Sequence, residues 1–263
     1  MPALKETMID PLAVVSDGAE LDTGVQVGPF SVIGKDVRVG ADTVIGSHVV
    51  LEGRTTLGSG NRIFQFASVG TIPQDLKYAG EDSELIIGDR NQIRECATLH
   101  IGTEGGGMVT SIGDDCLFMA YSHVAHDCRI GDGVILGNGS NLAGHVTVED
   151  MAILGGLTGV HQFCRVGRLS YVGGASVVVK DVPPFTTVQG DRAKLVGLNL
   201  EGLRRKGFTE DQVSNLKRAY RSLFRGGLVL DEAINKIKAE ISPDPNVELL
   251  VEFVLGSARG IIR

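Results

Sequence analysis

The stretch Val27-Gly28-Pro29-Phe30-Ser31-Val32-Ile33-Gly34-Lys35-Asp36-Val37-Arg38-Val39-Gly40-Ala41-Asp42-Thr43-Val44-Ile45 decides the fold. An aliphatic residue returns at every sixth place, at Val27, Ile33, Val39 and Ile45. Neither an α-helix nor an alternating strand has that period. The comb runs back through Leu21 and Val15 to Ile9, and forward through Leu51, Leu57 and Ile63 to Val69. It returns as Ile112, Phe118, Val124, Ile130, Leu136, Leu142, Val148, Leu154, Val160, Val166, Val172 and Val178. A fixed repeat this short is the signature of a hexapeptide β-helix.

Four places after each comb residue stands a small or β-branched one, such as Ser31, Val37, Thr43, Ala152 or Thr158. One large and one small inward residue per hexad suit a narrow prism. Three hexads close a triangular coil, so residues three hexads apart stack, with coils about 4.8 Å apart. The composition agrees: 36 Gly, 5% aromatic residues and no Trp describe a core of thin aliphatic layers. Cys116, Cys128 and Cys164 fall on the small inward place and are expected to be packing residues rather than nucleophiles.

The 263-residue chain carries a net charge of −7. Residues 192–263 hold 13 Lys and Arg against 9 Asp and Glu, whereas the remainder holds 12 against 23. The overall acidity argues against nucleic acid as a partner, while the basic tail suits an anionic ligand or an acidic protein. No apolar run is long enough to span a bilayer and no signal-peptide segment is visible, which predicts a cytoplasmic protein with no membrane span. Four Cys do not make a disulfide scaffold.

Two interruptions break the comb, near residues 71–84 and 101–111. The first reads Thr71-Ile72-Pro73-Gln74-Asp75-Leu76-Lys77-Tyr78-Ala79-Gly80 and the second contains Gly105-Gly106-Gly107. Loops thrown from a regular scaffold often carry function. The comb is expected to stop at Asp181-Val182-Pro183-Pro184, which divides the chain into a β-helix over 1–191 and an α-helical region over 192–263. In the tail, Thr209-Glu210-Asp211-Gln212 reads as a capping box. Asp231 is expected to cap a second helix carrying Ile234, Ile237 and Ile241. A third should carry an apolar stripe of Val247, Leu250, Val251, Val254 and Leu255.

The coil gathers histidines. Hexads beginning at Val124, Leu142 and Val160 stack on one face and carry His126, His145 and His161, and His123 precedes the first of them. Four of the chain's six His thus share one edge, while His48 and His100 are expected to lie elsewhere and to be structural. Neutral imidazoles clustered in this way can ligate a metal, act as a general base with neighbours binding substrate, or merely form a solvated face. Asp127 follows His126 and can orient or polarise an imidazole. Consecutive strand side chains diverge, so a direct pair requires a turn.

The strings His123-Val124-Ala125-His126-Asp127-Cys128, Leu142-Ala143-Gly144-His145-Val146 and Gly159-Val160-His161-Gln162-Phe163-Cys164 resemble a known family. It is the acyl-carrier-protein–UDP-N-acetylglucosamine O-acyltransferases of lipid A synthesis. Pro73-Gln74-Asp75-Leu76-Lys77-Tyr78, Asn199-Leu200-Glu201-Gly202-Leu203-Arg204-Arg205 and the end Arg259-Gly260-Ile261-Ile262-Arg263 are similar too. The resemblance covers nearly the whole chain in order.

It implies a left-handed parallel β-helix followed by a small α-helical domain, and a homotrimer with sites in clefts between neighbouring solenoids. It implies transfer of a (3R)-3-hydroxyacyl chain from acyl carrier protein to the 3-hydroxyl of UDP-N-acetylglucosamine. The carrier's phosphopantetheine thioester is then a co-substrate, with no cofactor and no metal. The implied catalytic set is His126 as general base, its neighbour Asp127, and Gly144, whose N–H would face the oxyanion. Gln74, Asp75, Lys77, His123 and His145 would position the sugar and substrate. His161, Gln162, Asn199, Glu201, Arg204 and Arg205 would surround the nucleotide or the pantetheine arm. Tyr171, Gly174 and Arg192 match the region that sets acyl length, where Gly174 leaves room for a longer chain and a bulky Tyr171 shortens it.

Departures exist. Lys206 stands where the family often has a second Arg, and a lysine is a point charge rather than a bidentate fork. Met1–Thr7 reads as an extension ahead of the usual start at Met8-Ile9-Asp10-Pro11. Two other readings use the same scaffold: a trimeric carbonic anhydrase with three His on zinc, and a purely structural solenoid. The unequal hexad places of the histidines and the sugar-suited Gln74-Asp75-x-Lys77 weigh against the first. The histidine cluster weighs against the second. The sister N-acyltransferase carries an extra N-terminal uridine-binding domain, for which a comb starting at Ile9 is expected to leave no room.

Overall fold

Hexad after hexad, the chain makes two-residue strands separated by tight turns, as at Val14–Val15, Glu20–Leu21 and Gln26–Val27. The computed structural model describes residues 6–263. Most of the expected extension, residues 1–5, lies outside them. Successive strands enter three different sheets in turn, here called A, B and C, which among the described residues have eleven, nine and eight strands, all parallel except the last strand of A. Each strand pairs with the one three strands on, so Val27 lies beside Ile45 in A, Ile33 beside Leu51 in B and Val39 beside Leu57 in C. The comb residues and their small companions fill the prism's interior. The result is a triangular β-helix.

Each corner turns through the fourth residue of a hexad. Phe30, Asp42, His48, Phe66, Asp127, His145 and Phe163 all hold the left-handed conformation there, with φ 59° at Asp127 and 62° at His145. Left-handed φ is uncommon outside Gly and is best tolerated by short polar side chains and His. At the corner between C and A a ladder of aspartates supports the turns. The N–H groups of Ser59, Asp89, Asp114 and Asp132 donate to Asp89, Asp114, Asp132 and Asp150 of the next coil. This explains the Gly-Asp pairs there. A Cβ on Gly88, Gly113 or Gly131 would fall 2.2, 2.2 or 2.3 Å from the carboxylate oxygen above it.

Both interruptions leave sheet B and re-enter sheet C. The first connects Ser68–Thr71 with Glu84–Ile87, and the second Thr98–His100 with Val109–Ile112. Stacking survives them: Leu57 pairs with Ile87 and Ile87 with Ile112. The two loops therefore sit one above the other on the B–C edge.

The comb does not stop at Asp181. Val182 bridges Val166, and Val188 pairs with Val172 in a strand Thr186–Gln189 of sheet A. The last coil is shortened, so these residues fall out of the eighteen-residue phase while keeping their inward place. An antiparallel strand, Lys194–Leu198, then closes the edge of sheet A. Four α-helices follow, α1 (Leu200–Arg205), α2 (Glu210–Tyr220), α3 (Leu230–Glu240) and α4 (Pro245–Leu255), with a π-helical turn, Arg221–Arg225, continuing α2. Their own core is joined to the prism by Leu169 and Phe185.

Thr209 and Gln212 form the capping box at α2. Asp231 is not a cap: α3 starts at Leu230 after Val229, which makes no side-chain cap bond, and Asp231 lies in the first turn. In α4 the buried stripe includes Phe253, whereas Leu255 is exposed. Among the described residues no helix is long and apolar enough to cross a membrane. Cys116, Cys128 and Cys164 are buried, and burial pushes their thiols up to about 12, about 12 and about 11, far from nucleophilic.

Two predictions follow from this packing. Gly113→Ala drives a methyl against Asp132 and the Gly131 backbone, and overpacking of this kind costs about 1–3 kcal/mol. Adding Asp132→Ala should recover part of that loss, a non-additivity measurable by denaturant unfolding. Separately, His100 is buried, its Nδ1 lacks a partner, and burial lowers its pKa from 6.5 to about 4. The unfolded chain binds a proton the folded chain rejects, so stability falls as pH drops from 6.5 toward 4. Over that window the stability–pH curve of His100→Asn should be less steep; an unchanged slope would contradict this.

Candidate active site

The site occupies the B–C edge, where the two loops fold over the turns that follow His123–Val124 and Asn141–Leu142. His126 takes the third place of its hexad and Asp127 the fourth. The left-handed φ of Asp127 turns its side chain back beside that of His126, which supplies the turn that a direct pair needs. His126 Nδ1 and Asp127 Oδ2 are 2.7 Å apart, with the Asp127 side chain wholly buried.

A buried carboxylate must be matched by donors. The second loop provides them: the Thr103 N–H donates to Oδ1 at 2.9 Å and the Thr103 hydroxyl to Oδ2 at 2.6 Å. The Asp127 N–H donates in turn to Thr110 Oγ1 at 2.8 Å. With two loop donors on the carboxylate, Oδ2 is placed to accept from His126 Nδ1, which leaves Nε2 as the ring nitrogen not engaged by Asp127. Nε2 points toward Asp75 of the first loop, whose Oδ2 is 3.9 Å away.

One coil on, Gly144 lies against the His126 ring. A Cβ at Gly144 would fall 2.5 Å from His126 Cε1 and 2.6 Å from Nε2, so only glycine lets the imidazole lie there. Among the described residues no backbone carbonyl accepts from the Gly144 N–H. His145 meets His126 edge-on, with ring centres 5.1 Å apart, and stacks on Phe163 at 4.4 Å. Burial lowers the pKa of His145, although Asp127 opposes the shift. His123 shares a 2.7 Å hydrogen bond with Thr98 Oγ1, and burial lowers its pKa as well.

His100 does not lie elsewhere. Its ring packs edge-on against His123 at 4.8 Å. The second loop begins just after it, and the phase slip there hid the stacking of Leu99 on Val124 that brings the two rings together. Thr103 was likewise unmarked in the sequence, because a loop threonine has no periodicity to betray it. His48 does lie apart, between Phe30 and Phe66.

The remaining expected residues do not all gather in one chain. Gln74 and Lys77 are exposed on the first loop, where the Lys77 N–H donates to Asp75 Oδ1. His161 and Gln162 are exposed one coil above His145, and with His123 His161 borders a shallow groove of about 350 Å³ on sheet B. Arg192 lies in the turn beside Val177, at the top of that sheet. Gly174 is at the A–B corner. Tyr171, Asn199, Glu201 and Arg205 line a separate cavity of about 370 Å³ between sheet A and α1, with Lys206 at its rim. Asn199 caps α1, accepting from the Gly202 N–H and donating to the Leu169 carbonyl. Glu201 pairs with Arg204 and with Arg205.

His126, Asp127 and His145 bring donor atoms within 4.8 Å of one another, as a metal site would. The 2.7 Å contact between Nδ1 and Oδ2 is a hydrogen bond that leaves no place for an ion between them, and Thr103 already fills Oδ2. The donor set fits a hydrogen-bonded pair.

A family model described as UDP N-acetylglucosamine O-acyltransferase, domain 2, matches residues 181–262, and a bacterial transferase hexapeptide model matches 23–53 and 110–144. The acyl-[acyl-carrier-protein]–UDP-N-acetylglucosamine O-acyltransferase of Myxococcus xanthus is 54% identical over 97% of this chain and 99% of its own. Its counterpart in Anaeromyxobacter sp. is 52% identical over the same shares. The crystal structure of UDP-N-acetylglucosamine O-acyltransferase from Moraxella catarrhalis superimposes with a TM-score of 0.94 at 44% identity, covering 97% of this chain and 99% of that one. The Campylobacter jejuni enzyme gives 0.92 at 40% identity, over 97% and 98%. With the prism, the helical tail and the histidine edge all in place, the chain belongs to the UDP-N-acetylglucosamine O-acyltransferase family.

Proposed function

We propose that the protein transfers a (3R)-3-hydroxyacyl group from acyl carrier protein to the 3-hydroxyl of UDP-N-acetylglucosamine, at the start of lipid A synthesis. The observation that carries this reading is the His126–Asp127 pair, set at the edge where both loops converge in a chain of this family. Nε2 of His126 takes the proton of the sugar hydroxyl as the oxygen attacks the thioester carbonyl. The tetrahedral oxyanion accepts from the Gly144 N–H, a donor worth about 3 kcal/mol in such a place. Collapse breaks the C–S bond, and the pantetheine thiolate recovers the proton from His126. Attack is direct. The buried, raised cysteines offer no acyl-enzyme route.

Burial lowers the pKa of both His123 and His145, which favours their neutral forms and suits them to hydrogen-bond sugar hydroxyls rather than to pair with phosphate. Gln74, Asp75 and Lys77 hold the sugar from the first loop. Tyr171 lies on sheet A, Gly174 at the A–B corner, and Asn199, Glu201, Arg204 and Arg205 on α1 and its cap beside sheet A. A second copy that presents its A face to this edge would bring them to the same cleft, which supports a homotrimer with shared sites. In that cleft Tyr171, Gly174 and Arg192 bound the acyl chain, and the basic tail meets the acidic carrier.

The direct test is mass spectrometry of the product formed from UDP-N-acetylglucosamine and a mixture of 3-hydroxyacyl carrier proteins. A singly O-acylated sugar nucleotide of one preferred chain length is expected; its absence sinks the proposal. His126→Ala should lower turnover by roughly 10²- to 10⁴-fold with the fold intact. Lys77→Ala should mainly raise KM for the sugar nucleotide, as loss of a contact made equally in ground and transition states does. A kcat loss without a KM change would remove Lys77 from sugar binding.

A further inference from the structure

We propose that the second loop, residues 101–111, is the positioning element of the site, and that Thr103 is the residue through which it acts. This rests on His126 being the general base. Thr103 is buried and gives Asp127 both its N–H and its hydroxyl, one to each carboxylate oxygen. The hydroxyl shares Oδ2 with the His126 ring nitrogen. That sharing fixes the carboxylate plane, and the plane fixes the direction of the imidazole.

The triple glycine belongs to the same device. A Cβ on Gly106 would fall 1.9 Å from Asp127 Cγ, so the loop backbone lies directly on the carboxylate. A short helical turn, Glu104–Gly106, closes by the Gly106 N–H donating to the Thr103 carbonyl. From the other side the Asp127 N–H donates to Thr110, at the loop's return into sheet C. The loop thus grips Asp127 at both of its ends and covers it between them. An insertion tolerated only for its length would not need glycine where its backbone lies on the carboxylate.

The loop also sets the charge that His126 feels. Asp127 spreads its negative charge over three hydrogen bonds, two of them from Thr103. With the hydroxyl gone, the carboxylate holds the imidazole proton more strongly, and His126 becomes harder to deprotonate. The other groups facing the pair are Asp75, His145, His123 and His100. Among the described residues none of them shares a side-chain hydrogen bond with Thr103, and none changes in the variant.

The test compares Thr103→Val, Thr103→Ser and Gly106→Ala in the full-length protein, with thermal melting, kcat, KM for both substrates, and the pH dependence of kcat/KM. Thr103→Val should lose roughly 10- to 100-fold in kcat, the worth of one hydrogen bond to a charged group. Its KM values should change little, and its acid limb should move to higher pH. Thr103→Ser should restore rate and limb, and Gly106→Ala should impair kcat in the same way. A Thr103→Val protein with normal kcat and an unmoved limb overturns the proposal. So does one whose loss matches its loss of folded protein and is not repaired by Ser. If His126→Ala is itself active, the general-base reading fails first; if it is inactive while Thr103→Val is normal, only the loop's role fails.

Discussion

The bond on which the site depends is the ordinary backbone hydrogen bond from one coil to the next. The His145 N–H donates to the His126 carbonyl at 3.0 Å, and the Phe163 N–H to the Gly144 carbonyl at 3.2 Å. Those bonds set the height of His145 above His126 and of Phe163 above His145. Repeated through three sheets, the same pairing makes a stiff prism in which every side chain has an assigned level and face. The frame brings the base and its histidine neighbours to one edge at fixed heights, and the loops then set their orientation.

What the prism cannot do is bury a carboxylate. Its bare turns leave the fourth place of a hexad at the surface, as at Phe30, Phe66 and Leu157, and Asp127 would face water there. The two insertions change that environment. One covers Asp127 with Thr103 and Gly106, and the other brings Asp75 toward the far nitrogen of His126. Regular structure supplies position and irregular structure supplies electrostatics. This division explains why both loops leave the solenoid at the same edge, and why the rest of the prism is left plain.

Much of this is legible in the sequence because the repeat converts distance along the chain into height and face. The stacking of the hexads that carry His126, His145 and His161 follows from period alone, as does the burial of Cys116, Cys128 and Cys164. Legibility fails where the period shifts. The shortened last coil hid Val182 and Val188, and the second loop hid the contact of His100 with His123. The Asp127–His126 contact depends on a left-handed φ that hexad spacing does not announce. Asp231 was misplaced because a Val at the cap position has no side-chain signature, and the neighbouring acid looked like one. Contacts made by loops, such as Thr103 on Asp127, have no pattern in a single sequence.

The account rests on His126 keeping its proton on Nδ1, toward Asp127, and a lone pair on Nε2, toward the substrate. Histidine-selective nitrogen NMR of the full-length protein near neutral pH reads this directly, with His126→Asn identifying the resonance. A neutral His126 protonated on Nδ1 is the predicted result, with that proton protected from solvent exchange by the buried carboxylate. A His126 protonated on Nε2 would have no lone pair for the hydroxyl proton and would contradict the account.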